Sequence, residues 1–391
     1  MKIITLVRSL TLGGVEKQMA ALAKMLAGEG HQVELISYRP GDFYNDTLRE
    51  TGVRHINFRP SSERALLTEL ESYFREARPD VVIAFHVGPA TKACIIKKRW
   101  PFFKLIVSER NFNTSAHIWD YYRFILFRHA DLVVPNSHAQ GRFIYSHAPW
   151  LRPKLKTIVN WVELERFSPR EVPHENGGKL EIVTTARVDK RKNLQGWIKE
   201  VARVASKRRD FHISWYGLCG QNSYSKKCLK MIESCGIQEL FSILPATKDV
   251  PAVLGGADAF ALVSFYEGTP NSLAEALSCG LPAIASDVSD NALYVRNGEN
   301  GYLCKASDTD SIASALESLL ESRSEFAQMG ARSREIALMH FSAEQFLLYA
   351  WFAKEFDERR TLWPSLICAI KLSSTFVFSL FVSTIHIFLC F

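Results

Sequence analysis

Residues 264–280 read SFYEGTPNSLAEALSCG, which sets two carboxylates, Glu267 and Glu275, eight positions apart around Thr269, Pro270, Asn271 and Ser272. A helix starting here leaves the amides of Asn271, Ser272 and Leu273 without intrahelical acceptors, and such amides are a site for phosphate. A carboxylate beside bound phosphate is repelled by it. The two glutamates are therefore read as acceptors from hydroxyls, and hydroxyls beside a diphosphate describe a nucleotide-sugar. The competing reading is plainer, because acidic residues near a helix start are favoured by the helix dipole alone.

The elements that must hold these residues can be read outward from them. ADAFALVSF is an almost unbroken apolar run, as in a strand buried on both faces. Thr269 suits the N-cap of the next helix and Pro270 its first position, while Gly280 and Pro282 end it. The same strand–turn–helix rhythm runs along the whole chain and predicts parallel βα units. Strands are expected at 3–7, 33–37, 53–58, 81–85, 104–108 and 132–135, then at 181–186, 212–217, 240–244, 259–263 and 282–286. The segment FSPREVPHENGGKL, residues 167–180, is rich in Pro, Gly and charge and reads as the linker. Two doubly wound α/β halves joined once imply a cleft between the carboxyl ends of their strands.

Each half offers a further turn into that cleft. After the first strand comes LTLGGVEKQ, where Gly13 and Gly14 permit close backbone approach at a helix N-terminus; it is not the GxGxxG of a dinucleotide site. After the first strand of the second half comes ARVDKRKNL. Arg187 and Lys192 combine a planar fork with a point charge, a suitable clamp for a diphosphate, although such a charge run alone is usually a solvated loop. Asp308-Thr309-Asp310 reads as a helix cap rather than a metal site, so no metal is assigned.

Composition narrows the class. A chain of 391 residues exceeds what one core usually supports. Its 8 cysteines lack close-pair metal spacing and point to reduced, cytosolic thiols, and MKIITLVRS reads as a first strand rather than a secretory leader. Residues 1–165 hold 23 Lys and Arg against 16 Asp and Glu, while the remainder balances, so the net charge of +7 lies in the first half. Within it KKRWPFFK, Lys97 to Lys104, mixes four cations with three rings. That suits an anionic membrane surface, or else a solvated helix end whose aromatics begin the next strand. No nucleic-acid motif accompanies the charge. Leu372 to Phe391 carries no formal charge and is just long enough to span a bilayer as a helix, with Trp363 and Lys371 as interface anchors.

Taken in order, Gly13-Gly14, SERN at 108–111, IVNWVELERFSP at 158–169, the Arg187 and Lys192 pair and EGTPNSLAEALSCGLPAIASD resemble family 4 of the retaining glycosyltransferases, of the GT-B fold. The resemblance covers residues 2 to 358. It implies an acceptor-binding Rossmann-like domain over 1–166, the linker at 167–180, and a nucleotide-sugar domain over 181–342. It further implies a helix over 343–363 crossing back to the first domain, with the apolar tail following at 364–391. By position, Glu267 would contact the sugar ring and Glu275 the ribose. Arg187 and Lys192 would neutralise the diphosphate, and the glycine pair would close over it. Arg110 or Glu109 would face sugar and acceptor. HISWYGLCG and Asn193 depart from the family's usual glycines.

The expected activity is transfer of a hexose or N-acetylhexosamine from a nucleotide diphosphate, UDP by family habit, with retention, no metal and no cofactor. The expected acceptor is a lipid-linked or polysaccharide glycan at the cytoplasmic face of the inner membrane. Membrane contact is expected through Lys97–Lys104 and the tail. A sugar-nucleotide epimerase and a non-catalytic nucleotide-sugar scaffold are the alternatives.

Overall fold

Short β-branched and apolar runs alternate with amphipathic segments, and the chain resolves that alternation as two parallel sheets covered by helices. The computed structural model describes residues 1–110, 115–170, 178–218, 220 and 222–349. Six strands form the first sheet: β1 (Lys2–Leu6), β2 (Gln32–Ser37), β3 (Arg54–Asn57), β4 (Val81–Phe85), β5 (Lys104–Glu109) and β6 (Leu132–Pro135). The second is built from β7 (Leu180–Thr185), β8 (Phe211–Leu218), β9 (Phe241–Pro245), β10 (Ala259–Leu262), β11 (Ala283–Ser286) and β12 (Gly301–Cys304). The spatial orders are β3-β2-β1-β4-β5-β6 and β12-β11-β10-β7-β8-β9, with parallel pairing throughout. Counted from its own first strand, the second sheet repeats the order of the first.

That order has a consequence for binding. In each sheet the first and fourth strands lie side by side, β1 with β4 and β7 with β10. Their following loops leave in opposite directions, and the crevice that opens at such a point is where ligands bind in open α/β sheets.

The cores explain why the strands are this apolar. β4 is buried along its whole length. The Leu194–Ala205 helix turns Leu194, Trp197, Ile198, Val201 and Val204 inward at helical spacing, onto Ile182, Ile213 and Trp215 of the sheet. On the opposite face of the same sheet, Leu273, Ala276 and Leu277 pack with Phe260, Leu262, Ile336 and Phe341. Arg334 clasps the start of the expected linker, donating to the carbonyls of Leu164, Phe167 and Ser278. Phe167 is itself in that core. Residues 171–177 lie outside the described residues.

Several expectations need correction. Sequence reading gave no strand at Gly301–Cys304, which closes the second sheet against β11. Four residues carry too little periodicity to announce a strand; Gly301 is required there because a Cβ would lie 1.9 Å from the Ala283 carbonyl oxygen. The helix after β10 runs Asn271–Ser278 with Pro270, not Thr269, in the capping position and no side-chain cap. Thr269 is diverted because its hydroxyl donates to the Asn136 carbonyl of the first half.

KKRWPFFK is turned inward at Phe103, whereas Trp100 and Phe102 are half-buried and Lys98 and Arg99 exposed. Phe103 is buried, Trp100 donates to Glu71 at 2.8 Å, and Arg75 and Arg78 cover the Trp100 and Phe102 rings. Lys97 pairs with Asp131 at 3.1 Å. Phe103 thus leads into the next buried strand, the second of the two readings of this stretch.

Asp308 caps the Thr309–Glu321 helix through the Ser311 amide, and Asp310 pairs with Arg203. Of the expected helix over 343–363, Ala343–Phe346 is helical. Residues from 350 onward, including the apolar tail at 364–391, lie outside the described residues. Among the described residues no helix is long and apolar enough to cross a membrane.

Candidate functional site

The loops leaving the carboxyl ends of β1, β4, β5, β7 and β10 enclose a cavity of about 1290 Å³. Gly13, Gly14, Arg110, Arg187, Lys192, Glu267, Thr269, Pro270, Asn271, Ser272 and Glu275 all line it. Residues more than 250 positions apart therefore meet in one place. Among the described residues its wall carries nine Lys or Arg side chains against three acidic ones, Glu16, Glu267 and Glu275. A concave wall of this sign concentrates anions.

Two expected residues do not face the cavity. Glu109 is fully buried and lies 3.3 Å from Arg123. Burial pushes its carboxyl pKa upward, with Arg123 opposing. It ends β5 on the inward side of the pleat, whereas Arg110, one residue on, points the other way; alternation along a strand decides which of two adjacent residues meets the ligand. Leu273 has its side chain in the core, so only its backbone amide is available.

The start of the Asn271–Ser278 helix is more open than the sequence implied. Its first intrahelical bond from this end runs from the Ala274 amide to the Pro270 carbonyl, and no side chain caps the preceding amides. With Thr269 drawn away, those groups are left for a ligand. On one side Asp189 accepts from the Arg191 and Lys192 amides, holding the Lys190–Lys192 turn so that Lys192 Nζ reaches Glu267 Oε1 at 2.5 Å. Asn193 follows at φ +56°, which explains why glycine is the commoner residue there and why asparagine is tolerated. On the other side the Glu275 carboxylate is ion-paired with Lys17, from the Gly14–Gly28 helix of the first half.

A hydrogen-bonded seam joins the halves behind the cavity. Asn160 accepts from Arg110 Nη1 at 2.5 Å and donates to the Thr269 carbonyl at 2.9 Å and to Asn271 Oδ1 at 2.6 Å. Arg110 also lies flat on Phe85, 3.9 Å from its ring centroid. Gln18 and the Trp161 backbone exchange two bonds, 2.8 and 2.9 Å. Asn271 donates to the Gly14 carbonyl at 3.3 Å, and a Cβ on Gly14 would sit 2.9 Å from the Asn271 side-chain nitrogen. The close approach that Gly14 permits is thus made first to the other half of the protein. Asp290 reaches across to the amides of His138 and Ala139, at 2.5 and 2.9 Å, at the start of the His138–His147 helix.

Sequence reading missed Lys17, Asn160 and His86. Asn160 and Lys17 gave no local signal, because their partners lie 111 and 258 positions away. His86 did leave one, as a polar residue directly after the buried VVIAF strand on the cleft side. It holds φ +79°, its Nδ1 accepts from the Val87 amide at 3.1 Å, and it lines the cavity. Burial, then the charges of Arg8, Arg123 and Arg110, lower its pKa below the ordinary 6.5. The ring is therefore neutral near pH 7, with its proton on Nε2 available for donation. Tyr44, on the same wall, is pushed up to about 12 by burial and the charge of Glu16, and stays protonated.

Two sheets of repeated order, facing a cationic cleft with an uncapped helix N-terminus between two glutamates, define a protein of the GT-B architecture. Comparison with known proteins gives the family. Residues 12–166 match the model of Glycosyltransferase Family 4, and residues 166–336 match that of Glycosyl transferases group 1. Together these span most of the chain, which belongs to glycosyltransferase family 4. The chain is 25% identical over 337 residues to a Campylobacter jejuni GalNAc-alpha-(1->4)-GalNAc-alpha-(1->3)-diNAcBac-PP-undecaprenol alpha-1,4-N-acetyl-D-galactosaminyltransferase, covering 82% of this chain and 89% of that protein. It is 23% identical over 345 residues to the lipopolysaccharide core biosynthesis glycosyltransferase LpsE of Rhizobium meliloti, covering 85% and 93%. A shorter match, 37% over 172 residues, covers 42% of this chain and 44% of the Escherichia coli UDP-Gal:alpha-D-GlcNAc-diphosphoundecaprenol alpha-1,3-galactosyltransferase. In fold it is similar to a Rickettsia africae glycosyltransferase, at TM-score 0.80, 16% identity and coverage of 92% and 99%. It is also similar to Anabaena Alr3699/HepE in complex with UDP, at 0.77, 18%, 92% and 100%.

Proposed function

We propose that this glycosyltransferase moves a hexose or N-acetylhexosamine from a UDP-sugar to a lipid-linked glycan during bacterial surface polysaccharide assembly, with retention and without a metal. The observation that carries the reading is the uncapped Asn271–Ser278 helix start, set between Lys192–Glu267 and Lys17–Glu275 in a cavity of net positive wall. Relatives whose names specify diphosphoundecaprenol acceptors support the lipid-linked substrate, and a neighbour in fold that holds UDP supports the nucleotide. The site of action is then the cytoplasmic face of the membrane that carries such lipids.

In this reading the diphosphate lies on the amides of residues 271–273, with Arg187 and Lys192 over its oxygens. As the anomeric C–O bond breaks, its electron pair passes to the diphosphate while positive charge grows on the sugar. Fixed cations and amides stabilise the leaving group without reorganising, and the cationic wall supports a reaction without a metal. Lys192 transfers its pairing from Glu267 to phosphate, which releases the Glu267 carboxylate to the sugar hydroxyls. Glu275 takes the ribose diol. Arg110 and the Nε2–H of His86 orient the acceptor hydroxyl from the first half. With Glu267 engaged by the sugar hydroxyls and Glu109 buried, neither serves as a nucleophile. Front-face attack by the acceptor oxygen, whose proton passes to the departing diphosphate oxygen as the new C–O bond forms, then keeps the anomeric configuration.

Calorimetric titration of UDP, GDP and ADP into the metal-free protein tests the donor assignment; tight binding of UDP alone is expected, and binding of none would sink the reading. An NMR spectrum of the first product must show the donor's anomer. Incubation with donor alone separates an epimerase, which converts it without acceptor.

A further inference from the structure

We infer that the solvent face of the Ile118–Leu126 helix is a membrane-docking surface for an anionic lipid bilayer. This helix turns one face into the protein and leaves large apolar side chains on the other. Its inner face buries Arg123, Phe124 and Asp120, yet its outer face leaves Ile118 and Trp119 about three-quarters exposed, at 76% and 75%. Tyr122 and Ile125 are 55% and 51% exposed on the same side. Monomeric proteins seldom hold large aliphatic and aromatic side chains together in water, and such a patch marks a surface that is covered in use.

Two observations identify a bilayer as its cover. The first is ring type: Trp and Tyr are the side chains that settle at headgroup depth, with Ile reaching below them, and the helix presents them along one stripe suited to lying in the interface plane. The second is charge. Residues 115–156 contain six Lys or Arg and two acidic residues, Asp120 and Asp131. Both acids are engaged by cations of the protein itself, Asp120 by Arg123 at 3.1 Å and Asp131 by Lys97 at 3.1 Å. Arg128 is exposed beside Trp150, whose indole N–H reaches back to the Phe124 carbonyl at 3.4 Å, and Arg152 is exposed over the Tyr145 ring. A ring-bearing stripe rimmed by cations and free of exposed acids complements anionic headgroups.

The helix is also placed to matter. Arg123 links it to Glu109, the residue before Arg110 of the cavity wall. A bilayer on this face therefore lies beside the first half's side of the cleft. The inference goes beyond the assigned reaction, since vesicle binding requires neither donor nor acceptor.

The test uses the full chain with vesicles of phosphatidylethanolamine and phosphatidylglycerol, and of phosphatidylcholine alone. Wild type is expected to co-sediment with the anionic vesicles. The triple variant Ile118→Ser, Trp119→Ser, Tyr122→Ser is expected to lose about tenfold in partitioning while keeping its melting temperature. Because the apolar tail could bind lipid by itself, a second readout locates the contact. Brominated acyl chains should quench wild-type fluorescence more than that of Trp119→Phe. Absence of vesicle binding by wild type overturns the proposal. So does unchanged partitioning of the triple variant with equal quenching of both proteins, which would hand the contact to the tail. A wild-type dimer that becomes monomeric in the variant, with lipid binding unaltered, would identify a second copy as the occupant. Vesicle-independent binding of soluble glycan fragments by these rings, without lipid binding, would overturn it as well.

Discussion

Lys17 and Glu275 form an ion pair across the cleft, although 258 positions separate them. Lys17 stands in the first turn of the helix after β1, and Glu275 in the second turn of the helix after β10. The carboxylate proposed to take the ribose is thus already occupied by an ammonium from the other half. Binding a nucleotide must exchange that partner for hydroxyls, so the pair couples donor binding to the fit of the two halves.

Replacing Glu275 with Gln keeps the shape but removes the charge. UDP affinity is expected to fall about tenfold, or ~1.4 kcal/mol, by titration calorimetry. Lys17→Met should instead lower the melting temperature without nucleotide, since the buried carboxylate loses its partner. UDP should restore it, as ribose hydroxyls fill the vacancy. A Lys17→Met protein that melts normally and is no more stabilised by UDP than wild type would refute the exchange.

Glu267→Gln is expected to leave UDP binding within about threefold and to lower turnover by roughly 10²–10³, the usual cost of losing one group that acts on developing charge. Turnover and binding measured side by side decide it. Parallel loss of both would make Glu267 a structural partner of Lys192 and nothing more.

Asn160→Ala removes three hydrogen bonds at once, those to Arg110, the Thr269 carbonyl and Asn271. Each buried polar group left unpaired costs about 1–3 kcal/mol. Chemical denaturation should report a loss of several kcal/mol, and amide exchange should rise in the Asn271–Ser278 helix. A variant as stable as wild type would mean that the seam does not hold the halves together.

Four histidines, His55, His86, His129 and His340, have pKa values lowered first by burial. The unfolded chain then binds more protons than the folded one between their lowered values and the ordinary 6.5. Their contribution is fully present above about pH 6.5 and is lost as pH falls through that window. His86→Gly tests one share of it. The variant removes a titrating group and relieves a backbone of φ +79°, a strain worth ~1–3 kcal/mol. It should melt no lower than wild type at pH 7, compare more favourably at pH 5.5, and turn over more slowly. A larger acid loss in the variant would reverse the assignment.

Much of this was legible locally. Parallel βα architecture follows from apolar runs too short for helices and too continuous for half-exposed strands. Glu267, Glu275, Arg187 and Lys192 could be found because each lies in or beside a loop that follows a strand. Where reading failed, tertiary context had intervened: Asn136 took the hydroxyl of Thr269, and the pleat of β5 turned Glu109 inward. Local pattern by itself determined which segments become strands and helices and which loops meet at the cleft, because those depend on periodicity and on neighbours a few residues away. Only the tertiary structure decided which side chains remain free for a ligand, since a polar group is available only after every group folded against it has taken its share of hydrogen bonds.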